Sequence, residues 1–373
     1  MKFAIITHVP HGFNGKNYFA YAPYVREMNI WTKFVDEVII VAPMELRHET
    51  PIHIDYEHHN IDFRPIESMD LLSLKSKIAA LLQLPKTLFL IYKAMRTADH
   101  IHLRCPGNIG LLGCLVQIVF PKKPKTAKYA GNWDPNAKQP LSYRLQKWIL
   151  NNTFLTKKMQ VLVYGEWAGS SKNIKPFFTA TYREEDKIKL SPRVPREQLL
   201  FIFAGSLAPG KRPEYAIEVI EKLAALGYQV NLKFYGEGSQ KEKLQQYCKE
   251  CGLSGIVGFM GNANEPTLRK AYQQSHFVIL PSKSEGWPKV IAEAMFWGSV
   301  PLASNVSCIS DMIGQGKRGI LLTMNIDSDI LTITKIIENP EVYQQMALNG
   351  MNWSQQYTLD YFEKQVAEIL KKQ

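Results

Sequence analysis

SEGWPKVIAEAMFWGSVPLAS, Ser284 to Ser304, sets two glutamates eight positions apart around the start of a helix. Gly286 and Pro288 signal a loop that holds Glu285, and the following residues read as a short helix closed by Gly298. Glu285 sits where the positive potential of a helix start favours an anion, so capping alone is one account of it. Glu293 is harder to explain, because Ile291, Ala292, Ala294, Met295 and Phe296 give it mostly apolar surroundings. A carboxylate there needs a partner or a ligand.

Outward from this stretch, the chain repeats one rhythm. In the second half, LLFIFAGSL, QVNLKFYGEG, GIVGFMG, FVILPS and VPLAS read as buried strands, and RPEYAIEVIEKLAALG reads as an amphipathic helix. EVYQQMALNGMNWSQQY and LDYFEKQVAEILKK follow Asn339-Pro340 as terminal helical segments. In the first half KFAIITHV, EVIIVAP, HIHLRC, KTAKYAG and MQVLVYG are strand-like, with helical stretches such as NYFAYAPYVREMNIWTKF and LSYRLQKWILNNTFL between them. Strands alternating with helices predict an α/β fold of two Rossmann-like, parallel, doubly wound halves. The charged, two-proline segment 184–197 is the expected linker, giving domains over 1–190 and 191–350 and a terminal helix over 351–373.

The chain has 373 residues, 46% of them hydrophobic, which is enough for two full cores. The apolar run before His8 is too short for a signal-peptide core and fits a first strand. Without about 18 or more uninterrupted apolar residues, no membrane span is expected. Five irregularly spaced cysteines point to reduced thiols and a cytoplasmic protein. Cys248 and Cys251 form a CxxC with no second ligand pair, so no metal is assigned to it. Residues 1–190 hold 26 Lys and Arg against 16 Asp and Glu, whereas residues 191–373 hold 19 against 18. The basic excess of the first half is either a solubilising surface or a face for an anionic partner. Nucleic acid is not expected, since no recognition signature accompanies the charge. Contact with an anionic membrane, at the inner face of the membrane, is the reading kept. Residues 71–98 carry Lys75, Lys77, Lys86 and Lys93 among apolar residues. They read either as an interfacial helix or as two packed helices broken near Pro85, and the second is preferred.

Three more second-half loops bear on chemistry. In FAGSLAPGKRP, Gly205 and Ser206 lead to Lys211 and Arg212 at a helix start, a place suited to phosphate. FYGEGSQ brings Gly236 and Gly238 to the end of another strand. GFMGN offers Phe259 and Met260, for a base or for core packing. In the first half, THVPHGFNG holds His8, His11, Asn14 and Gly15, and LRCPGNIG holds Arg104 and Asn108. KYAGNWDP adds Asn132, Trp133 and Asp134, which serve either a substrate or a turn.

Together the second-half motifs resemble GT-B-fold glycosyltransferases, in particular the retaining family 4. Glu285-Gly-Trp-Pro-Lys-Val-Ile-Ala-Glu293 matches that family's pair of glutamates with seven residues between them. The resemblance covers residues 200–325 by motif and the whole chain by architecture. It implies a deep interdomain cleft and a C-terminal helix returning to the first domain. It also implies transfer of a sugar from a nucleotide-sugar donor, UDP- rather than GDP-linked, to a glycan or lipid-linked acceptor in surface polysaccharide or glycoconjugate assembly. By the same resemblance Glu285 would bind the donor sugar's hydroxyls and Ser284 would stand beside it. The amides of Gly286, Trp287, Pro288 (which has none of its own), Lys289 and Val290 would line sugar and diphosphate, and Glu293 would take the ribose diol. Lys211 and Arg212 would neutralise the leaving diphosphate, with no metal and no other cofactor. Asn132 and Asp134 would stand near the reacting sugar; His8, His11, Asn14, Gly15, Arg104, Asn108 and Trp133 would face the acceptor. The sequence departs from the family at Ser206, where an arginine is common, and in lacking a histidine in KYAGNWDP. Two other readings therefore stay open: a GT-B scaffold without catalysis, and a sugar-nucleotide epimerase.

Overall fold

The computed structural model describes residues 1–46, 48–69, 73–188, 193–195 and 198–371, without the side chains of 74–77. The side chains of Lys75 and Lys77, parts of the expected linker and residues 372–373 lie outside that set. The chain divides into two compact units, Met1–Phe178 with Phe362–Gln373, and Thr179–Tyr361.

In the first unit the order is β1 (Lys2–Ile6), β2 (His11–Phe13), β3 (Tyr18–Tyr21), α1 (Ala22–Thr32), β4 (Glu37–Leu46), β5 (His53–Asp55) and β6 (Ile61–Ile66). Then come α2 (Leu74–Thr97), β7 (His100–Cys105), α3 (Asn108–Val116), β8 (Lys125–Tyr129), α4 (Leu141–Leu150), β9 (Met159–Tyr164) and β10 (Ile174–Phe177). Strands β10-β9-β8-β7-β1-β4 are parallel, and β6 also pairs with β4. β1 and the first part of β4 are nearly continuous apolar runs, as a sheet covered on both faces favours, whereas β7 and β8 bury polar residues, among them His100, His102, Lys125 and Lys128. The hairpin β2–β3, turning at Asn14–Asn17, and β5 extend this sheet beyond β4.

The second unit restarts with β11 (Leu199–Ala204), α5 (Pro213–Ala225), β12 (Val230–Tyr235), α6 (Lys241–Glu250), β13 (Val257–Gly261), α7 (Glu265–Gln274) and β14 (Phe277–Leu280). It continues through α8 (Lys289–Phe296), β15 (Val300–Ser304), α9 (Ile309–Met312), β16 (Ile320–Leu322), α10 (Ile326–Ile337) and α11 (Pro340–Ser354). The strand order β13-β12-β11-β14-β15-β16 is wholly parallel, so every strand's carboxyl end lies on one edge. Asparagines at 264, 325 and 339 cap α7, α10 and α11 by accepting from backbone N–H groups three residues on. Phe201 stacks on Phe277 at 4.9 Å in the core between β11 and β14.

Several expectations are corrected. NYFAYAPYVREMNIWTKF opens as strand β3 before the helix starts at Ala22. Residues 74–97 form one helix through Pro85, not two. The carbonyl that Pro85 leaves without a donor belongs to Leu81, an exposed residue where water can take it. The unit boundary falls between Phe178 and Thr179, before 190. Segment 179–186 is fixed to the second unit: Tyr182 packs on Phe296 and Trp297, and Arg269 pairs with Asp186 at 2.8 Å. At the other end, 351–354 finish α11, and the last helix is α12 (Leu359–Lys371). Residues from Phe362 onward belong to the first unit, where Phe362 meets Phe177 and Phe178 edge-on.

Candidate active site

The carboxyl edge of the second sheet gathers the motif loops. After β11 the chain passes Gly205 in a glycine-only conformation (φ 153°) and turns at 208–211, where Lys211 N donates to Ala208 O. After β12 it passes Gly236 (φ 148°), and a side-chain carbon there would lie 2.0 Å from Gly205 O. A carbon on Gly238 would lie 2.4 Å from Leu207 O. The two turns thus pack backbone on backbone, cross-linked by Gly205 N to Tyr235 O and Leu207 N to Glu237 O. Gly236 N donates to Gly261 O, which adds the end of β13 to the cluster.

The loop after β14 joins through its backbone: Lys283 N donates to Gly210 O at 2.8 Å. That bond brings together two residues distant in sequence. Lys211 Nζ reaches Glu285 Oε1 at 2.5 Å, with the Glu285 side chain only 9% exposed. Gly286 O accepts from Ser307 Oγ at 3.1 Å and Cys308 Sγ at 3.2 Å, which pins the loop from β15's side. Pro288 caps α8, so the first amides of Lys289 and Val290 end the same loop. Arg212 takes the left-handed conformation (φ 50°) ahead of Pro213 and has no ion-pair partner among the described residues. Ser206 and Ser284 are exposed on the edge. A cation, a helix start and glycine turns with close backbone amides can bind a diphosphate and stabilise its departure.

Glu293 has its partners inside the protein. Its Oε1 accepts from Thr181 Oγ1 at 2.6 Å and its Oε2 from Tyr272 OH at 3.2 Å. Burial, and then the charge of Glu293, push the Tyr272 phenol well above its usual range, so it stays a neutral donor. An ionised carboxylate offers about four acceptor positions, so these two bonds leave room for more. Neither Thr181 nor Tyr272 is marked in sequence. Thr181 lies in a stretch without periodicity, and Tyr272 reads as an ordinary core position of α7.

Of the other expected donor residues, Phe259 and Trp287 pack their side chains within the protein. Phe259 stacks on Phe234 at 5.0 Å and packs against the core, while Met260 is exposed. Trp287 lies against Trp353 and Tyr357, with Arg318 over the Trp353 ring, so its side chain anchors the loop to α11.

In the first unit His8 and Gly107 bring the loops after β1 and β7 together; a side-chain carbon on Gly107 would lie 2.7 Å from His8 Nδ1. The surrounding protein and then Arg104's charge hold the His8 pKa below its ordinary value. The remaining first-unit residues make contacts within the protein. His11 is buried between Val9 O (2.7 Å) and Tyr56 OH (2.8 Å). Asn14 and Gly15 form the hairpin tip, with Asn14 Oδ1 accepting from Lys16 N and Asn17 N. Arg104 pairs with buried Glu27 at 2.8 Å, and Asn108 Nδ2 donates to Met69 O. Asn132 Oδ1 accepts from Asp134 N, and Asp134 Oδ1 from Asn136 N, so both form the turn. Trp133 is 4% exposed and packs edge-on against Tyr129.

The architecture is that of the GT-B glycosyltransferases. The solved structure of HepE from Anabaena in complex with UDP and glucose shares it over 100% of both chains, with a TM-score of 0.72 at 17% identity. WaaG, a glycosyltransferase of lipopolysaccharide biosynthesis, shares it over 98% of this chain and 99% of its own, with a TM-score of 0.67 at 12% identity. Residues 184–353 match the family Glycosyl transferases group 1. An uncharacterized glycosyltransferase of Haemophilus influenzae is 29% identical over 166 residues, 44% of this chain and 46% of the relative. A D-inositol 3-phosphate glycosyltransferase of Nocardioides is 20% identical over 243 residues, 60% of this chain and 53% of the relative. The chain spans about half the length of the curated relatives it matches.

Proposed function

We propose that the chain is a retaining glycosyltransferase that moves a sugar from a UDP-sugar to a hydroxyl of a glycan or lipid-linked acceptor. The observation that carries this reading is the Lys211–Glu285 pair, held by the glycine turns beside the start of α8. HepE, of the same fold, is described in complex with UDP-glucose, which supports UDP over GDP. Lys211, with Arg212 and the α8 amides, takes the growing charge of the diphosphate as the bond from the sugar's C1 to oxygen breaks. The electron pair leaves with UDP. The acceptor oxygen bonds to C1 on the same face, and its proton passes to a phosphate oxygen of the leaving group. Glu285 holds sugar hydroxyls, and Glu293 holds the ribose diol through its remaining acceptor positions. In this reading the cationic side chains replace a divalent metal, and His8 is the acceptor-side residue.

The proposed setting is cytoplasmic, peripheral at the inner membrane face, in surface polysaccharide or glycoconjugate assembly. The basic balance of residues 1–190 supports it, as does α2, where Ile78–Thr97 has a mean hydropathy of 1.3 and Leu82 is 77% exposed.

Calorimetric titration with UDP and GDP in EDTA, followed by UDP-sugar turnover with and without acceptor glycans, tests the reading. UDP binding with acceptor-dependent turnover is expected. Binding without any turnover indicates the scaffold, release of an altered sugar nucleotide indicates the epimerase, and no binding by either nucleotide overturns the donor site.

A further inference from the structure

We propose that the first unit carries a pyranose-binding pocket, a site that goes beyond the donor-site reading and does not depend on it. A cavity of about 530 Å³ opens between α4 and the loop 165–173. That volume is within the usual range of small-molecule sites. Three indoles line it. Trp133 forms the buried floor, Trp148 stands 60% exposed, and the Trp167 ring is fixed by its N–H donating to Tyr164 O at 2.7 Å. Trp148 projects from α4 at an exposed position, where no core packing accounts for a residue of that size.

The polar groups of the wall are already oriented. Lys147 Nζ donates to Trp133 O at 2.8 Å and Asp134 O at 2.9 Å, which ties the floor to α4. Asn151 Oδ1 accepts from Ser171 N, and Asn152 Oδ1 accepts from Phe154 N and Leu155 N. These backbone donors fix which end of each carboxamide is oxygen, so each Nδ2 faces away from them and has no protein partner among the described residues. Flat aromatic walls beside spare amide donors match a pyranose ring, whose C–H faces are apolar and whose rim is hydroxyl. A free anion fits poorly, because the one lysine in the lining is committed to carbonyls. An acyl chain fits poorly too, because it would leave the amide donors desolvated without acceptors.

The test is tryptophan fluorescence and saturation-transfer NMR with methyl glucoside, methyl galactoside, methyl mannoside and N-acetylglucosamine. Intact protein is compared with Trp148→Ala and with Ala168→Trp, which fills the pocket mouth. At least one pyranoside is expected to bind, Trp148→Ala to bind it about tenfold more weakly, the loss of one aromatic contact, and Ala168→Trp to bind it at least as weakly because the new ring occupies the space. UDP affinity, measured alongside, reports whether each variant is folded and tracks the donor-site reading separately. The proposal is overturned if no sugar of the panel binds, or if both variants bind as the intact protein does. It is equally overturned if Trp148→Ala loses only binding to anionic phospholipid vesicles, which would make this face a membrane contact.

Discussion

Lys211 and Glu285, separated by 74 positions, form an ion pair at 2.5 Å because a backbone bond from Lys283 to Gly210 fastens one loop onto the other. The pair answers half of the question set by the two glutamates: Glu285 is not merely a helix-start anion but the counter-charge of a lysine beside the glycine turns. Under the proposed function, a diphosphate bound there would compete with Glu285 for the same ammonium group.

That competition gives the first prediction. Lys211→Met should weaken UDP binding by about 10- to 100-fold, the worth of one charge-assisted hydrogen bond. Glu285→Gln should bind UDP as tightly as the intact protein or a few-fold more tightly, because the lysine is released. It should nevertheless lower sugar transfer by about 100-fold or more. Calorimetry with UDP and a turnover assay check both arms. Equal losses of UDP affinity in the two variants would show that the pair acts as one structural unit.

Glu293 gives the second. Removing its carboxylate in Glu293→Ala leaves the buried Tyr272 hydroxyl and Thr181 Oγ1 without their acceptor, at a cost of about 1–3 kcal/mol in stability. Thr181→Val keeps the carboxylate and should cost about 1 kcal/mol while leaving UDP affinity within a few-fold. Urea midpoints and UDP titration on both variants separate the two jobs. If Glu293→Ala loses UDP binding at unchanged stability, the two hydroxyls do not depend on it.

How far the sequence could be read follows from the kind of signal each feature leaves. Parallel strands buried on both faces write themselves as apolar runs, so FVIL and VPLAS were legible as β14 and β15. The hairpin β2–β3 was missed although Asn14-Gly15 is a hairpin signal, because the flanking NYFAY continued smoothly into a helical pattern. The need of Glu293 for a partner could be read from its apolar neighbours. That the partners are Thr181 and Tyr272 could not, since both hydroxyls arrive through tertiary packing. The same holds for the contacts of Arg104 and His11: one guanidinium nitrogen of Arg104 pairs with Glu27, and the two ring nitrogens of His11 meet Val9 O and Tyr56 OH. Lys211 and Glu285 were both legible as residues, and their pairing was not.

The third prediction concerns the contact between the turns. Gly236→Ala would press a methyl group into Gly205 O from a backbone conformation that side chains rarely adopt. It should destabilise the protein by about 2–4 kcal/mol and, by separating the two turns, reduce UDP affinity as well. Gly255→Ala, in open space with nothing within 4 Å, is the control and should stay within about 0.5 kcal/mol of the parent. Denaturation midpoints for the two variants decide it, and a tolerated Gly236→Ala would mean that the turns are not packed as described.

The fourth concerns acid. Burial pushes the His11 pKa down to about 4, burial and then Arg193's charge push His276 down to about 4, and burial pushes His100 down to about 3. All three therefore remain neutral in the folded chain where an unfolded chain takes up protons, near pH 6.5. Below that pH the unfolded state binds more protons, so stability is full above about pH 6.5 and falls as pH drops toward the folded values. At pH 5 the loss should be about 2 kcal/mol for each fully affected group. For His276 the geometry fixes the neutral form, because its Nδ1 accepts from Leu200 N at 3.1 Å and cannot do so once protonated. His276→Gln keeps an acceptor there without a titrating group. Its stability should lie below the parent's at pH 7, and the gap should narrow by about 1–2 kcal/mol by pH 5. Urea midpoints at the two pH values measure this, and parallel slopes for parent and variant would remove His276 from the account of acid sensitivity.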